Sequence, residues 1–202
     1  MTLRRVGLLD YGSGNLHSAS RALVAAGADV VQASVRDDLW GADGLVVPGV
    51  GAFAACMAGL RAVGGDELIV DWVSSGRPLL GICVGHQILF EAGDEHGVHT
   101  TGVGVHAGAI GQLEADRLPH MGWNTVEPAA ETRLFAGLAG ERFYFVHSYA
   151  ARPGGRPGES VTHHEGVPFV SAIERGNVSS TQFHPEKSGA AGLALLRNWL
   201  AS

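Results

Sequence analysis

Cys83 stands in the stretch Gly81-Ile82-Cys83-Val84-Gly85-His86-Gln87, where an apolar run ends and a helical pattern begins. Glycines two positions before and two after it leave room for a sharp strand-to-helix turn. This is the spacing of a nucleophile elbow, with cysteine in the place of serine. The dipole and free N–H groups of a helix N-terminus favour a thiolate there. The Val84 N–H is then aimed where an oxyanion would form, and Gln87, one turn on, can face the same pocket. A buried structural cysteine is the competing reading for Cys83 taken alone. A thiolate nucleophile needs a base, and the base needs an orienting acid. Among ten histidines, His184 is set apart by Thr181-Gln182-Phe183-His184-Pro185-Glu186-Lys187. There a strand-like run ends on the histidine, Pro185 fixes a turn, and Glu186 can bond the second ring nitrogen. A surface His-Pro-Glu turn is the alternative.

Two glycine-rich turns follow strand-like runs. Pro48-Gly49-Val50-Gly51 offers backbone N–H groups to a phosphate or an oxyanion, or is a plain tight turn. Asp10-Tyr11-Gly12-Ser13-Gly14-Asn15 resembles a dinucleotide loop but lacks its third glycine.

The elements that must position these groups alternate. Residues 6–9, 29–33, 44–47 and 78–82 read as buried strands. Residues 15–26, 53–63, 67–74 and 84–91 read as helices. Apolar strands that lead into helices predict a mostly parallel central sheet covered by helices on both faces. From residue 102 onward, runs at 108–113, 121–126, 142–149, 159–163, 168–174 and 177–182 predict antiparallel strands added in the second half. Residues 188–200 read as a final helix with Ser188 as N-cap, and 151–158 as a flexible loop. With no linker or repeat to divide it, the chain is expected to be a single domain over residues 1–202.

Bulk properties exclude several classes. The chain is 46% hydrophobic and 17% charged, which argues against disorder. Its net charge of -6 is the wrong sign for a nucleic-acid binder or an anionic membrane surface. Residues 1–5 carry charge, but no apolar run and cleavage site follow, so no secretory signal is expected. No run reaches the roughly 18 apolar residues of a spanning helix. Cys56 and Cys83 are too few for a disulfide scaffold and suit a reducing cytoplasm. Cys56 reads as core. His96, His99 and His106 lack metal-ligand spacing, and neither a metal nor a cofactor is expected. Adjacent His163 and His164 should point to opposite faces of a strand.

The elbow, the Pro-Gly-Val-Gly turn and Gln182-Phe183-His184-Pro185-Glu186-Lys187-Ser188, in this order, resemble class I (triad) glutamine amidotransferases. Asp10 to Leu16, Pro119-His120-Met121-Gly122-Trp123-Asn124 and Phe143-Tyr144-Phe145-Val146-His147-Ser148-Tyr149 narrow the resemblance. They look like the glutaminase subunits that serve imidazole glycerol phosphate synthesis in histidine biosynthesis. The likeness runs from the first strand to the last helix and implies a flavodoxin-like α/β fold. It implies that Cys83 attacks the side-chain amide of glutamine, that His184 is base and acid, and that Glu186 orients it. Val84 and the Gly49, Val50, Gly51 turn would form the oxyanion hole, the turn after a peptide flip. Gln87, Glu95, His147 and Ser148 would hold glutamine. Ammonia would pass, shielded from water, to a barrel-shaped cyclase subunit in a heterodimer, with Asn15, Trp123 and Lys187 facing that partner. Trp123 is read equally well as a core tryptophan on a strand.

Two rival readings remain at this point. One is the glutaminase subunit of another triad amidotransferase. The other is a catalytically idle partner-binding domain of the same fold. One departure from the family is His86, where an apolar residue such as methionine is more usual. It is expected either to touch the thiolate or to point to solvent.

Overall fold

The structure is a computed structural model that describes residues 4–202. The first three residues of the charged segment 1–5 lie outside the described residues. In chain order the elements are β1 (Arg5–Leu9), α1 (Leu16–Ala26), β2 (Asp29–Ala33), α2 (Arg36–Trp40), β3 (Gly44–Gly49), α3 (Phe53–Ala62) and α4 (Gly65–Ser74). Then come β4 (Leu79–Cys83), α5 (Val84–Gln87), β5 (Phe90–Glu95), β6 (Val98–Thr101), β7 (His106–Gln112), β8 (His120–Thr125) and β9 (Arg142–His147). The chain ends with β10 (Tyr149–Ala151), β11 (Glu159–His164), β12 (Val167–Arg175), β13 (Val178–Thr181), a 3₁₀ turn (Pro185–Lys187) and α6 (Gly189–Leu200).

The main sheet has the order β11-β12-β13-β4-β3-β1-β2. From β2 to β13 it is parallel, and β12 and β11 add to it antiparallel. Every residue of β3 and β4 is buried, as central parallel strands require. Helices cover both faces. Val6 pairs with Gly44 and Gly7 with Leu45, so Gly7 and Gly44 face opposite ways. Trp199 of α6 lies over Gly44, and Leu39 of α2 lies over Gly7. Neither glycine could carry a Cβ without pressing on these side chains at 3.0 Å. The order β2-β1-β3-β4-β13 reverses direction at β1, and in such sheets the carboxyl ends of the strands form the binding crevice. One hydrophobic cluster runs from Val6 to Trp199. Among the described residues, no helix is long and apolar enough to cross a membrane.

Strands 29–33 and 6–9 and helices 15–26 and 53–63 fall within a residue or so of expectation. Asn15 is the cap of α1 rather than its first residue: its side chain accepts from the Ser18 N–H at 3.3 Å. The expected helix over 84–91 is corrected. It stops at Gln87, and Phe90 begins β5. Ile88, Leu89 and Phe90 are all fully buried, and a short apolar run has no period that separates helix from strand. Pairing decides the matter, since β5 bonds to β6 on one side and β7 on the other, and Gly102 lies so close to the Phe90 carbonyl that a Cβ would stand 2.1 Å from it. The antiparallel strands expected in the second half are present, with β7 on β10, β8 on β9, β11 on β12 and β12 on β13, while β7 also pairs in parallel with β5 within the sheet β10-β7-β5-β6. Ser188 occupies the cap position of α6 without capping it through its side chain. Its hydroxyl instead donates to the His184 carbonyl at 2.6 Å and accepts from the Tyr144 N–H at 3.0 Å, tying the 3₁₀ turn to β9.

Candidate active site

Cys83 ends β4 with φ 56 and ψ -114, a conformation that side chains rarely adopt. Such strain costs about 1–3 kcal/mol and persists only where the surroundings enforce it. They do so here. A Cβ on Gly85 would stand 1.9 Å from the Val47 carbonyl oxygen, and one on Gly81 would stand 2.7 Å from the Gly85 carbonyl oxygen. The two glycines that flank the elbow are where β3, β4 and α5 touch backbone to backbone. Val84 is the first residue of α5, so its N–H has no acceptor within the helix.

His184 follows β13, the strand paired in parallel with β4, and this brings it beside Cys83. His184 Nδ1 lies 2.7 Å from Glu186 Oε1, and both side chains are almost wholly buried. Burial disfavours the charged ring. The neighbouring Cys83 sulfur and the bonded Glu186 carboxylate outweigh it and lift the ring to about 9. The turn carrying this pair is pressed by α6. A Cβ on Gly192 would stand 1.9 Å from the Pro185 carbonyl oxygen.

A cleft of about 480 Å³ opens over these groups at the carboxyl ends of the strands. Its walls include Val50, Gly51, Cys83, Val84, Gln87, Glu95, His147, Ser148, His184 and Lys187. Of the residues expected to attack, protonate, stabilise and hold a substrate, all but Gly49 therefore line one cavity; Gly49 and the orienting Glu186 lie behind it, on a small adjoining cavity. His96, Gln112, Val146 and Tyr149 also line it. A larger cleft of about 610 Å³ beside Arg152 and Arg156 contains neither the cysteine nor its histidine. Gln87 is anchored, its Nε2 donating to Gln182 Oε1 at 3.0 Å and to the Tyr149 carbonyl at 2.9 Å. Glu95 has a task not legible in the sequence. One carboxylate oxygen accepts from the Phe53 N–H at 2.6 Å, at the start of α3, which has no capping side chain of its own.

The Pro48 to Gly51 turn is held from behind by the Asp10 to Asn15 loop, so that loop serves as a buttress at this position. Tyr11 donates to the Pro48 carbonyl at 2.5 Å. Ser13 Oγ lies 2.8 Å from the Val50 carbonyl oxygen and 3.3 Å from the Val50 nitrogen. Cys56 is fully buried, as expected of a core residue, and its sulfur reaches both Ser13 Oγ at 2.9 Å and the Val50 carbonyl at 3.3 Å. Burial raises its thiol above the usual cysteine value, which keeps an S–H for this contact. Ser13 carried no special signal in the sequence, and Cys56 only that of an apolar helix.

Both expectations for His86 are corrected. Its ring is wholly buried, away from solvent, and its Nδ1 lies 2.7 Å from Ser180 Oγ on β13. Burial holds it well below the usual histidine value. His106 meets the same hydroxyl at 3.2 Å. His163 and His164 do diverge, toward Glu127 and the Arg117 carbonyl respectively. Trp123 is not core. It is 46% exposed on β8, beside Met121 at 62%. Asn15 and Lys187 are exposed near the catalytic turn. Asn15 shares a small cavity with Pro48, His184 and Glu186, and Lys187 lines the main cleft.

A family model described as glutamine amidotransferase class-I matches residues 7–202. The imidazole glycerol phosphate synthase subunit HisH of Cutibacterium acnes is 58% identical over 197 residues, spanning 97% of this chain and 96% of that protein. The subunit of the same name from Nocardia farcinica is 59% identical over 210 residues, spanning 100% of both. Two solved structures share the fold. One described as a glutamine amidotransferase superposes with a TM-score of 0.74 at 21% identity, covering 98% of this chain and 99% of that one. PurLQS from Thermotoga maritima gives 0.70 at 19%, covering 100% and 99%.

Proposed function

We propose a function from the premise that this chain belongs to the class-I glutamine amidotransferase family, whose model matches nearly its whole length. It is a glutaminase, and it works as the glutamine-hydrolysing subunit of imidazole glycerol phosphate synthase. One observation carries the chemistry: a buried His184, bonded to Glu186 at 2.7 Å, beside a cysteine held in an elbow that only the flanking glycines allow.

Cys83 Sγ attacks the side-chain amide carbon of glutamine, and the carbonyl oxygen becomes an oxyanion. The Val84 N–H and the Gly49-Val50-Gly51 turn stabilise it. His184 delivers a proton to the departing nitrogen, and ammonia leaves a thioester on Cys83. His184 then takes a proton from water as the water attacks the thioester, and glutamate is released. Glu186 keeps the His184 ring oriented and balances its charge. Gln87, Glu95, His147 and Ser148 hold the amino acid so that its amide meets Cys83.

Ammonia passes to a cyclase subunit, which uses it to make imidazole glycerol phosphate and aminoimidazole carboxamide ribotide. Bulk water would protonate ammonia and remove its nucleophilic lone pair, so the transfer must be shielded. Asn15, Trp123 and Lys187 face that partner in a heterodimer. The chain acts as one domain, in the cytoplasm, without cofactor or metal. The deciding experiment measures glutamine hydrolysis by the purified chain alone, with the cyclase subunit, and with the cyclase and its nucleotide substrate. Activity that rises with this cyclase, and is abolished by Cys83→Ala, is the expected result. Stimulation by a different synthase only, or absence of Cys83 labelling by a glutamine-analogue electrophile in the complex, would overturn the proposal.

A further inference from the structure

A line of polar groups runs from β8 to the wall of the substrate cleft, and the mechanism above does not use its outer half. His120 and His147 are cross-strand partners on β8 and β9, with His120 Nδ1 at 3.1 Å from His147 Nε2. At the inner end, His147 Nδ1 lies 3.0 Å from the Tyr149 carbonyl oxygen. At the outer end, Asn124 Nδ2 lies 3.3 Å from His120 Nε2 and also donates to the His163 carbonyl at 2.9 Å.

The hydrogens in this line can be assigned from one end. A carbonyl only accepts, so His147 Nδ1 carries a hydrogen. Burial holds both rings neutral at ordinary pH, with His147 pushed down to about 3 and His120 to about 4. A neutral ring has a single N–H, so His147 Nε2 is an acceptor and His120 Nδ1 must donate to it. By the same count His120 Nε2 is an acceptor, and the amide of Asn124 meets it with a donor. Both rings are thereby committed to the Nδ1–H tautomer, the less favoured form of a free neutral imidazole.

The inner end matters for the cleft. The His147 to Tyr149 bond spans Ser148 and closes a bend around it, and the Leu113 N–H holds the Ser148 carbonyl at 3.0 Å. The Tyr149 carbonyl also accepts from Gln87 Nε2, so the same oxygen ties the bend to the elbow helix. The outer end lies on a strand whose opposite face carries Met121 and Trp123. His120 is kept in place by stacking on Phe145 at 4.9 Å and on His164 at 4.3 Å.

We propose that His120 and Asn124 are positioning residues for glutamine, acting through His147 to hold the Ser148 bend against the elbow helix. This rests on the cleft over Cys83 being the glutamine site. Removing the His120 donor leaves a buried acceptor on His147 without a partner. The ring is then free to leave the Tyr149 carbonyl, and the bend loosens at the substrate end while Cys83, His184 and Glu186 stay untouched.

Two measurements test this. In the full chain labelled with ¹⁵N-histidine, NMR near neutral pH is expected to find both His120 and His147 as Nδ1–H tautomers. In the complex with the cyclase, H120F keeps the ring stack but removes both nitrogens. It is expected to raise KM for glutamine roughly tenfold while kcat stays within about twofold. A purely structural role would lower the melting temperature and leave KM unchanged. An Nε2–H tautomer at either ring, or an unchanged KM in folded H120F, overturns the inference. A wild-type complex that hydrolyses no glutamine would instead overturn the function proposed above, and the tautomers would still decide whether the relay exists.

Discussion

The backbone of Val50 is bonded on both sides to one hydroxyl, that of Ser13, with the nitrogen at 3.3 Å and the carbonyl oxygen at 2.8 Å. The Val50 N–H is therefore engaged away from the elbow, and a flip of the Gly49–Val50 peptide must break its contact with Ser13 before the N–H can serve an oxyanion, while the carbonyl contact pins the next peptide in place. Net hydrogen bonds of this kind contribute about 1 kcal/mol each. Ser13→Ala is expected to raise glutamine hydrolysis by the isolated chain several-fold and to narrow the stimulation given by the cyclase. Steady-state rates with and without the partner measure both. A fall in basal rate would refute a restraining role for Ser13.

Glu186→Gln keeps the shape of the side chain but turns an amide toward His184 Nδ1, which favours the wrong tautomer. A drop in kcat of roughly 10²–10⁴-fold is expected, as for other triads deprived of their acid. Stability should follow a matching pattern. The His184 ring titrates at about 9 in the fold against 6.5 for an ordinary histidine. A raised folded pKa stabilises fully below the unfolded value, and the contribution is lost as pH rises through the folded value. The wild type should thus exceed the variant in melting temperature most below pH 6.5, with the gap closing above about pH 9. A gap that widens with rising pH would contradict the assignment.

His86→Met is close to volume-conserving in a fully buried site. It removes the His86 Nε2, which has no partner among the described residues, and it leaves Ser180 Oγ with His106 at 3.2 Å. Glutaminase activity should stay within a few-fold, and stability should change by less than about 1.5 kcal/mol. Kinetics and thermal melting of the same preparation check both. A loss on the scale of a Cys83 substitution would mean that the ring acts on the elbow.

Trp123→Ala removes a half-exposed indole set edge-on to Tyr144 at 6.1 Å. Melting of the isolated chain should hardly move. Binding to the cyclase should weaken by about 2 kcal/mol, some thirtyfold, as for a central aromatic at an interface. Titration calorimetry with the cyclase reads this directly, and unchanged affinity would remove Trp123 from the interface.

The order of strands and helices through Ser74, apart from the five-residue α2 at Arg36–Trp40, was legible, as were the elbow and the His-Pro-Glu turn, because each is a local pattern. Periodicity of 2 or 3.6, glycines at fixed offsets and a proline beside a histidine all act over a few residues. The stretch after Gln87 was not legible. Ile88, Leu89 and Phe90 are apolar in any element, and only the pairing of β5 with β6 and β7, later in the chain, makes the segment from Phe90 a strand. His86 was misread for a related reason. Its spacing placed it in the elbow helix, but its environment is set by Ser180 on β13, ninety-four residues on.

Cys83, His184, Glu186 and the glycines around them were singled out by the sequence itself, since glycines at fixed offsets and a proline beside a histidine are local patterns. The tertiary structure alone decided what holds that chemistry in place. It put the Ser13 hydroxyl under Val50, pressed α6 against the Pro185 turn through Gly192, and aligned His120 with His147 across two strands. The first and last of these contacts join residues tens of positions apart, and the second packs a helix back on the turn before it. They depend on sheet register and backbone approach, which no local pattern encodes.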